Sequence, residues 1–539
     1  MFWRILVSAI LVGMVGMDTH TCSAQPAWEH APSLTGWREP NRSAESAPGI
    51  SIPSGSIGRS APVVADLNNN PADGLEVVVA SADGIVTALN SDGSLLWSKR
   101  TPNATCGGSN NRIHSSPAVA PLFSDGIPYV VIGYGGFSFT CSGGVIAFRG
   151  TDGKVAWNFN LSRFAKKVGM RERLSSVFST PAIADVDGDG KAEVAFGGFD
   201  RRVYLLNSNG TVRWYLVAAD TVFSSPSFMD IDNDGELEVI TATDISKNDR
   251  LQPPTKNGGI LYALSSRPKV GKDKQYGFRD PAVVKWLTPL DQVLYSSPSI
   301  ADVMPQNPGN EIVISSGCFF PQNSSAKGGR WVKIVRPKDG YVLRTLDLPS
   351  CSSASPALGD LTNDGYADIV ITTNGARGLG GDGTSRILGF DAANSRTLFN
   401  EPLVEPDGTN QYAGNFMSPV IADVDGNGSP EVLAANVRTI IILDASGNAL
   451  TCSDKACSNG GRVLLRTRGM LINSPAVADI NGDKVLDVVA AGGDGAGSGG
   501  VYVWTGLAGL INSQPGSLAP YAIPWGQFKG TADRSGNAL

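Results

Sequence analysis

The chain has 539 residues, 42% of them hydrophobic, with 64 glycines and 33 prolines, so it can bury a large core while turning often, which favours many short strands. Its net charge of -6 gives no basic footprint of the kind that nucleic acid or an anionic membrane surface selects, and both are set aside as partners.

The first element is a leader. "MFWRILVSAILVGMVGMDTHTCSAQ" carries Arg4, an apolar run from Ile5 to Met17 and a small-residue site, and reads as a secretory signal over residues 1–24, cut after Ala24. The run is shorter than the ~20 residues a membrane span needs. The expected location is therefore secreted, periplasmic or cell-surface, with no membrane span after cleavage. Residues 25–46 form an N-terminal extension. Loss of Cys22 leaves Cys106, Cys141, Cys318, Cys351, Cys452 and Cys457, an even number that in an exported chain points to disulfides.

From residue 47 onward the chain repeats itself. "SAPVVAD", "SSPAVAP", "STPAIAD", "SSPSFMD", "SSPSIAD", "ASPALGD", "MSPVIAD" and "NSPAVAD" share one register around Pro62, Pro117, Pro181, Pro226, Pro298, Pro356, Pro419 and Pro475. A loop follows each, then a β-branched run such as "EVVVAS" or "DIVITT" that reads as a buried strand. A third strand comes next, and an Asp/Asn/Gly turn leads to a fourth, often with tryptophan, as in "DGKVAWNFN". The unit is a four-stranded antiparallel meander, and radial repetition lets neighbouring units cover both faces of each sheet. The predicted fold is all-β, a single eight-bladed β-propeller over residues 47–510, with seven blades as the alternative. Residues 511–539 form a tail packing on or closing it. Trp214 to Pro226 and Trp286 to Pro298 both span 12 residues, and the same count back from Pro62 reaches Ile50. Residues near Ile50 are thus expected to supply the last strand of blade eight, with "PYAIPWGQF" as the competing segment.

Five of the loops between first and second strands place oxygen-bearing residues at alternate positions. In blade three these are Asp185, Asp187, Asp189, Lys191 through its carbonyl, and Glu193. The others are Asp230, Asp232, Asp234, Glu236 and Glu238; Asp360, Thr362, Asp364, Tyr366 and Asp368; Asp423, Asp425, Asn427, Ser429 and Glu431; and Asp479, Asn481, Asp483, Val485 and Asp487. Alternate oxygens on a tight loop wrap a hard cation that wants six to eight of them, so about five structural calcium sites are expected. Phe196 stands where an EF-hand needs a bidentate Glu, and strands flank the loop, which removes that alternative. The first loop offers Asp66, Asn68, Asn70 and Glu76, while the second, beginning at Pro121, and the fifth, with Met304 at its third position, are expected to form no tight site.

Strand, "DxDxDGxxE/D" loop and apolar strand together resemble the FG-GAP or VCBS-type repeat of integrin α-subunit propellers and many exported microbial proteins. Endings such as "SDGSLLW" are similar to blades of quinoprotein propellers. The resemblance implies an extracellular propeller whose calcium loops stiffen one face while ligands contact the other. It implies no single activity.

Three functional readings follow. The leading one is a binding or adhesion module for an extracellular glycan or protein. The alternative is a carbohydrate-active enzyme such as a polysaccharide lyase, for which "RFAKKVGMRER" offers basic side chains. A quinone-cofactor dehydrogenase is a minor alternative, since no two cysteines are adjacent. After leader cleavage only His30 and His114 remain, and no GxSxG or HExxH string is present, so no catalytic residue is named. In a meander the second-to-third-strand loops and the connections between blades share the face opposite the acidic loops. All six mature cysteines fall there, and bridges Cys106–Cys141, Cys318–Cys351 and Cys452–Cys457 are geometrically possible. Long variable loops on a rigid scaffold are where binding resides, so that face is the expected docking surface, with Arg112, His114, Lys167, Arg171 and Tyr412 as contacts.

Overall fold

The computed structural model describes residues 22–24, 50–55 and 57–507, except 103–112, 137–142, 171–174, 245–248, 250–253, 255–257, 269–273, 318–329, 376–382, 404–416, 452–462 and 494–497, and also 523 and 526–531. These residues form eight antiparallel sheets in a ring, the eight-bladed propeller that the repeats predict. The inner strands are Val63–Ala65, Ala118–Pro121, Ala182–Ala184, Ser227–Met229, Ser299–Ala301, Ala357–Gly359, Val420–Ala422 and Ala476–Ala478. Blade eight takes its outermost strand from the other end of the chain. Ile50–Gly55 pairs antiparallel with Ser498–Trp504, Ile50 facing Val501 and Ile52 facing Gly499. That is the N-terminal closure predicted from the 12-residue spacing.

Two blades carry a fifth, parallel strand at the rim. Gln275–Gly277 pairs with Tyr215–Val217 in blade three, and Cys22–Ala24 pairs with Val463–Leu465 in blade seven. Leader cleavage after Ala24 would detach the second. Among the described residues, no helix is long and apolar enough to cross a membrane.

The core is a ring rather than one mass. Apolar clusters lie between successive blades, for instance Val63, Val78 and Val86 of blade one with Val130 and Phe148 of blade two. The last joins Val489 and Val503 of blade eight to Val77 and Val79 of blade one. Second strands such as Glu76–Ala80 are therefore buried along their whole length, which is why they read as continuous β-branched runs.

Two sets of hydrogen bonds lock neighbouring blades together. At the axis, the residue before each repeat proline donates its N–H to the side-chain hydroxyl of its counterpart in the next blade: Ala61 to Ser116 (2.9 Å), Ser116 to Thr180 (2.9 Å), Thr180 to Ser225 (2.9 Å), Ser225 to Ser297 (3.0 Å), Ser297 to Ser355 (2.9 Å), Ser355 to Ser418 (2.9 Å) and Ser418 to Ser474 (3.0 Å). The cycle breaks between blades eight and one, because Ala61 has no hydroxyl. At the rim, the fourth-strand tryptophans donate to the backbone of the following blade: Trp97 to Gly150 (2.6 Å), Trp157 to Ser208 (2.8 Å), Trp214 to Ser266 (3.2 Å) and Trp286 to Pro337 (2.6 Å). The turn glycine beneath must be bare. Gly340 has φ +71°, and a Cβ there would lie 2.5 Å from the Trp286 ring.

The C-terminal tail bridges the break in the hydroxyl ring. Gly526 O accepts from Val477 N of blade eight (2.7 Å), and the Gln527 amide both accepts from Val64 N and donates to Val64 O of blade one (3.1 Å each). Lys529, fully buried, donates to Ser225 O (3.4 Å) and Pro226 O across the channel. Replacing Ser297 with Ala should leave the Ser225 N–H buried without its acceptor, at a cost of about 1–3 kcal/mol. Ala61→Ser supplies the eighth hydroxyl and should raise the melting temperature. Identical melting of both variants and the parent would remove the ring from the account of stability.

Candidate functional site in the acidic loops

The acidic loops share one backbone construction. The first carboxylate turns inward and gathers loop N–H groups: Asp185 accepts from Gly188 (2.7 Å) and Gly190 (2.8 Å), Asp230 from Asp234 (3.2 Å) and Gly235 (2.9 Å). Asp360 accepts from Asp364 (3.1 Å) and Gly365 (2.8 Å), Asp423 from Asn427 (3.0 Å) and Gly428 (2.9 Å), and Asp479 from Lys484 (2.9 Å). These are Asx-type turns, which explain Asp at position one without any ion.

The ninth position does something else. Glu193, Glu238, Asp368, Glu431 and Asp487 start the second strands, are almost wholly buried, and each accepts from the backbone N–H just after the loop's first residue. Burial pushes Glu193, Glu238, Asp368 and Asp487 up to about 7 and Glu431 up to about 9, and nearby carboxylates add to the rise. Several oxygens aimed into the loops are buried with no hydrogen-bond partner among the described residues, namely Asp187 Oδ1, Asp479 Oδ1 and Asp487 Oδ1, and Glu238 Oε1 has only the Lys285 ammonium, 3.5 Å away. A turn motif needs none of these, whereas a cation would satisfy all of them, so the residues fit a metal.

Three loops bring three carboxylate oxygens within 4.8 Å of one another: Asp185, Asp187 and Glu193; Asp230, Asp232 and Asp234; and Asp423, Asp425 and Glu431, all three of the last set buried. Asp189 instead accepts from Lys191 N (2.8 Å) and lies 3.5 Å from Lys191 Nζ. In blades six and eight, where Thr362 and Asn481 replace a carboxylate, no such trio forms among the described residues. The residues at position seven, including Glu236, Tyr366, Ser429 and Val485, donate their backbone N–H groups to the position-five side chains, as where Tyr366 N donates to Asp364 (3.0 Å). In the first loop the Asn68 amide donates to Glu76 (3.0 Å) and Asp73 (3.2 Å), placing a neutral donor where the other loops aim oxygens. In the fifth, Asp302 Oδ1 is also buried without a partner, but only Glu311 accompanies it as a carboxylate.

Sequence reading missed two basic residues. Arg213 reaches Asp187 (2.6 Å) and Glu193 (3.1 Å), and Lys285 reaches Asp232 (3.0 Å), Glu238 (3.5 Å) and Asp234 (3.9 Å). Each immediately precedes the fourth-strand tryptophan, and Leu398 holds that position in blade six. Among the described residues, the two loops with four carboxylates at positions one, three, five and nine are thus the two with a basic partner from the fourth strand, while Glu236 is separately paired with Arg267 (3.3 Å). A charge count per loop, four against three, was the signal available.

Of the expected docking residues, Lys167 is exposed at the end of the helix Leu161–Lys167, and His114 lies on the propeller axis with its ring 4.2 Å from that of Phe178. Arg112, Arg171 and Tyr412 lie outside the described residues, as do Cys106, Cys141, Cys318, Cys452 and Cys457. Cys351 is buried and disulfide-bonded.

Residues 50–251 match the family described as outer membrane protein assembly factor BamB, and residues 353–388, which contain the Asp360–Asp368 loop, match the FG-GAP repeat. The likeness to FG-GAP and quinoprotein-type propellers holds. Among solved structures, Saccharomyces cerevisiae Sqt1 superposes with a TM-score of 0.50 at 12% identity, covering 85% of this chain and 98% of its own. BamB from Moraxella catarrhalis gives 0.46 at 13% identity, covering 84% and 99%. The rhamnogalacturonan lyase YesW gives 0.42 at 15% identity, covering 85% and 91%. Identities this low speak for the fold alone. No curated protein matches the chain.

Arg213→Leu should raise divalent-cation affinity at the blade-three loop by about tenfold, or about 1.4 kcal/mol, because it deletes a competitor for the same oxygens. The gap between melting temperatures in saturating cation and in chelator should widen. A gap that narrows would mean that Arg213 holds the loop open for the ion rather than standing in for it.

Proposed function

We propose that the protein is an exported propeller stiffened by calcium on one face, which binds an extracellular glycan or protein on the other. The observation that carries this reading is the asymmetry of the two faces. Loops built around buried, self-repelling carboxylates, of which blades three, four, six, seven and eight have the full pattern, occupy the first-to-second-strand side. The opposite side carries the blade connections, the helix with exposed Lys167, and the mouth of the axial channel at His114. All-oxygen donors at alternate positions favour calcium over magnesium, which resists such dehydrating cages. The FG-GAP match over the blade-six loop supports the same choice. The six mature cysteines, if paired as the loop positions allow, would pin the binding face.

Binding to the folded state alone stabilises it by mass action, so excess chelator should lower the melting temperature, calcium should restore it and magnesium should do so poorly. An unchanged melting curve in chelator would sink the calcium assignment. For the docking face, joint substitution of Arg112, His114, Lys167, Arg171 and Tyr412 should abolish capture of a bound partner while leaving the calcium-dependent melting intact. Retained capture would place the partner elsewhere.

A further inference from the structure

The axial channel is blind. Its floor is lined by the hydroxyl ring of Ser116, Thr180, Ser225, Ser297, Ser355, Ser418 and Ser474 and by Phe528 of the C-terminal tail, whose neighbours Gln527 and Lys529 tie the tail to blades one and four. Toward the connection face the walls are Arg59, His114, Phe178, Phe223, Tyr295 and Ser353. The cavity measures about 50 Å³. That is room for a few waters, at about 10–15 Å³ of water-probe space each, so it admits a small functional group such as a carboxylate but not a whole sugar ring.

Its chemistry is one-sided. None of the residues lining it is acidic. Every ring hydroxyl already accepts an N–H from the preceding blade and keeps its O–H to donate beside one further lone pair. Arg59 supplies the cation at the mouth, its guanidinium 5.8 Å from the centre of the Phe223 ring. Burial pushes Arg59 down to about 10, which leaves it charged at neutral pH. The Tyr295 hydroxyl is bonded to Asp244, so what the tyrosine offers the mouth is its ring face. Beside the cavity, the half-buried rings of Phe199, Phe223 and Tyr295 form an arc with the buried Phe178: Phe178 and Phe199 at 4.6 Å, Phe199 and Phe223 at 6.1 Å, Phe223 and Tyr295 at 5.0 Å.

We propose that this pocket seats one carboxylate of an acidic glycan, with Arg59 pairing the carboxylate, the serine ring donating beneath it, and the sugar ring lying on the arc of Phe199, Phe223 and Tyr295. A uronate matches all three features at once: a negative charge for Arg59, carboxylate oxygens that accept from the serine ring, and an apolar ring face for the aromatics. An acidic peptide would satisfy the cation but would leave the aromatic arc without a flat partner. The inference rests on the connection face being the binding face and names the chemistry recognised there.

The test is binding of the full chain, loaded with calcium, to an oligogalacturonate, a neutral oligogalactan of equal length and poly-glutamate. The acidic glycan should bind at least tenfold more tightly than either of the others. Arg59→Gln should abolish that preference, and Phe199→Leu, at the rim and away from the hydroxyl ring, should weaken oligogalacturonate binding by about tenfold while calcium-dependent melting is unchanged. Should Arg59→Gln fail to fold, the Phe199→Leu result and the ranking of the three probes decide by themselves. Equal binding of galactan and galacturonate, preference for poly-glutamate, or no binding of any probe would each overturn the proposal. If Arg59→Gln abolishes binding while joint substitution of Arg112, Lys167, Arg171 and Tyr412 retains it, the pocket stands and the outer contacts fall; if the pattern is reversed, the pocket falls and the face stands.

Discussion

Eight sheets that each expose two apolar faces can be stable only if every face is covered, and the hydroxyl ring at the axis is what registers the blades so that they are. The inner strands are three or four residues long, too short to align neighbours by shape alone. The N–H before each proline meets a hydroxyl from the next blade instead. Proline enforces this: it confines the residue before it to extended backbone, which holds that residue's N–H and side chain in fixed directions. One such bond is worth about 1 kcal/mol net, but seven in one register set the angle between successive blades from one to eight. The rim tryptophans repeat the device at larger radius, and the apolar clusters fill the wedge between.

Closure is where the ring is weakest and where the chain spends both of its ends. Ala61 lacks the hydroxyl that would complete the circle. The outer strand of blade eight comes from Ile50–Gly55, and Gly526, Gln527 and Lys529 tie inner strands of blades eight, one and four. The same tail blocks the channel, so the axial pocket is a product of how the ring is shut. On the other face the ninth-position carboxylates couple loops to second strands, and Arg213 and Lys285 offset the fourth carboxylate where one exists.

Much of this could be read from the residues. The repeat-proline strings showed the number of blades because a repeat proline must recur where the backbone recurs, and the alternation of Asp in "DVDGDGKAE" marked a loop whose oxygens could hold a cation. The prolines drew attention away from their neighbours, however. Serine or threonine precedes seven of the eight, a pattern visible in the strings but without meaning until the ring brings those positions together. Arg213 lies 20 residues from Glu193 in sequence, and no local periodicity connects a fourth strand to the loop that precedes the second.

By itself, then, the sequence determined what is periodic and local: strand runs, turn glycines, the acidic spacing and the blade count. Each of these is a rule about neighbours within a few residues. Only the tertiary structure decided which oxygens were left without donors, which basic groups entered the loops, and that Arg59, His114, Phe223 and Tyr295, from four different blade connections, line one pocket. The reason is geometric. A closed ring brings equivalent positions from every blade to a single axis, and what gathers there depends on how the ends meet.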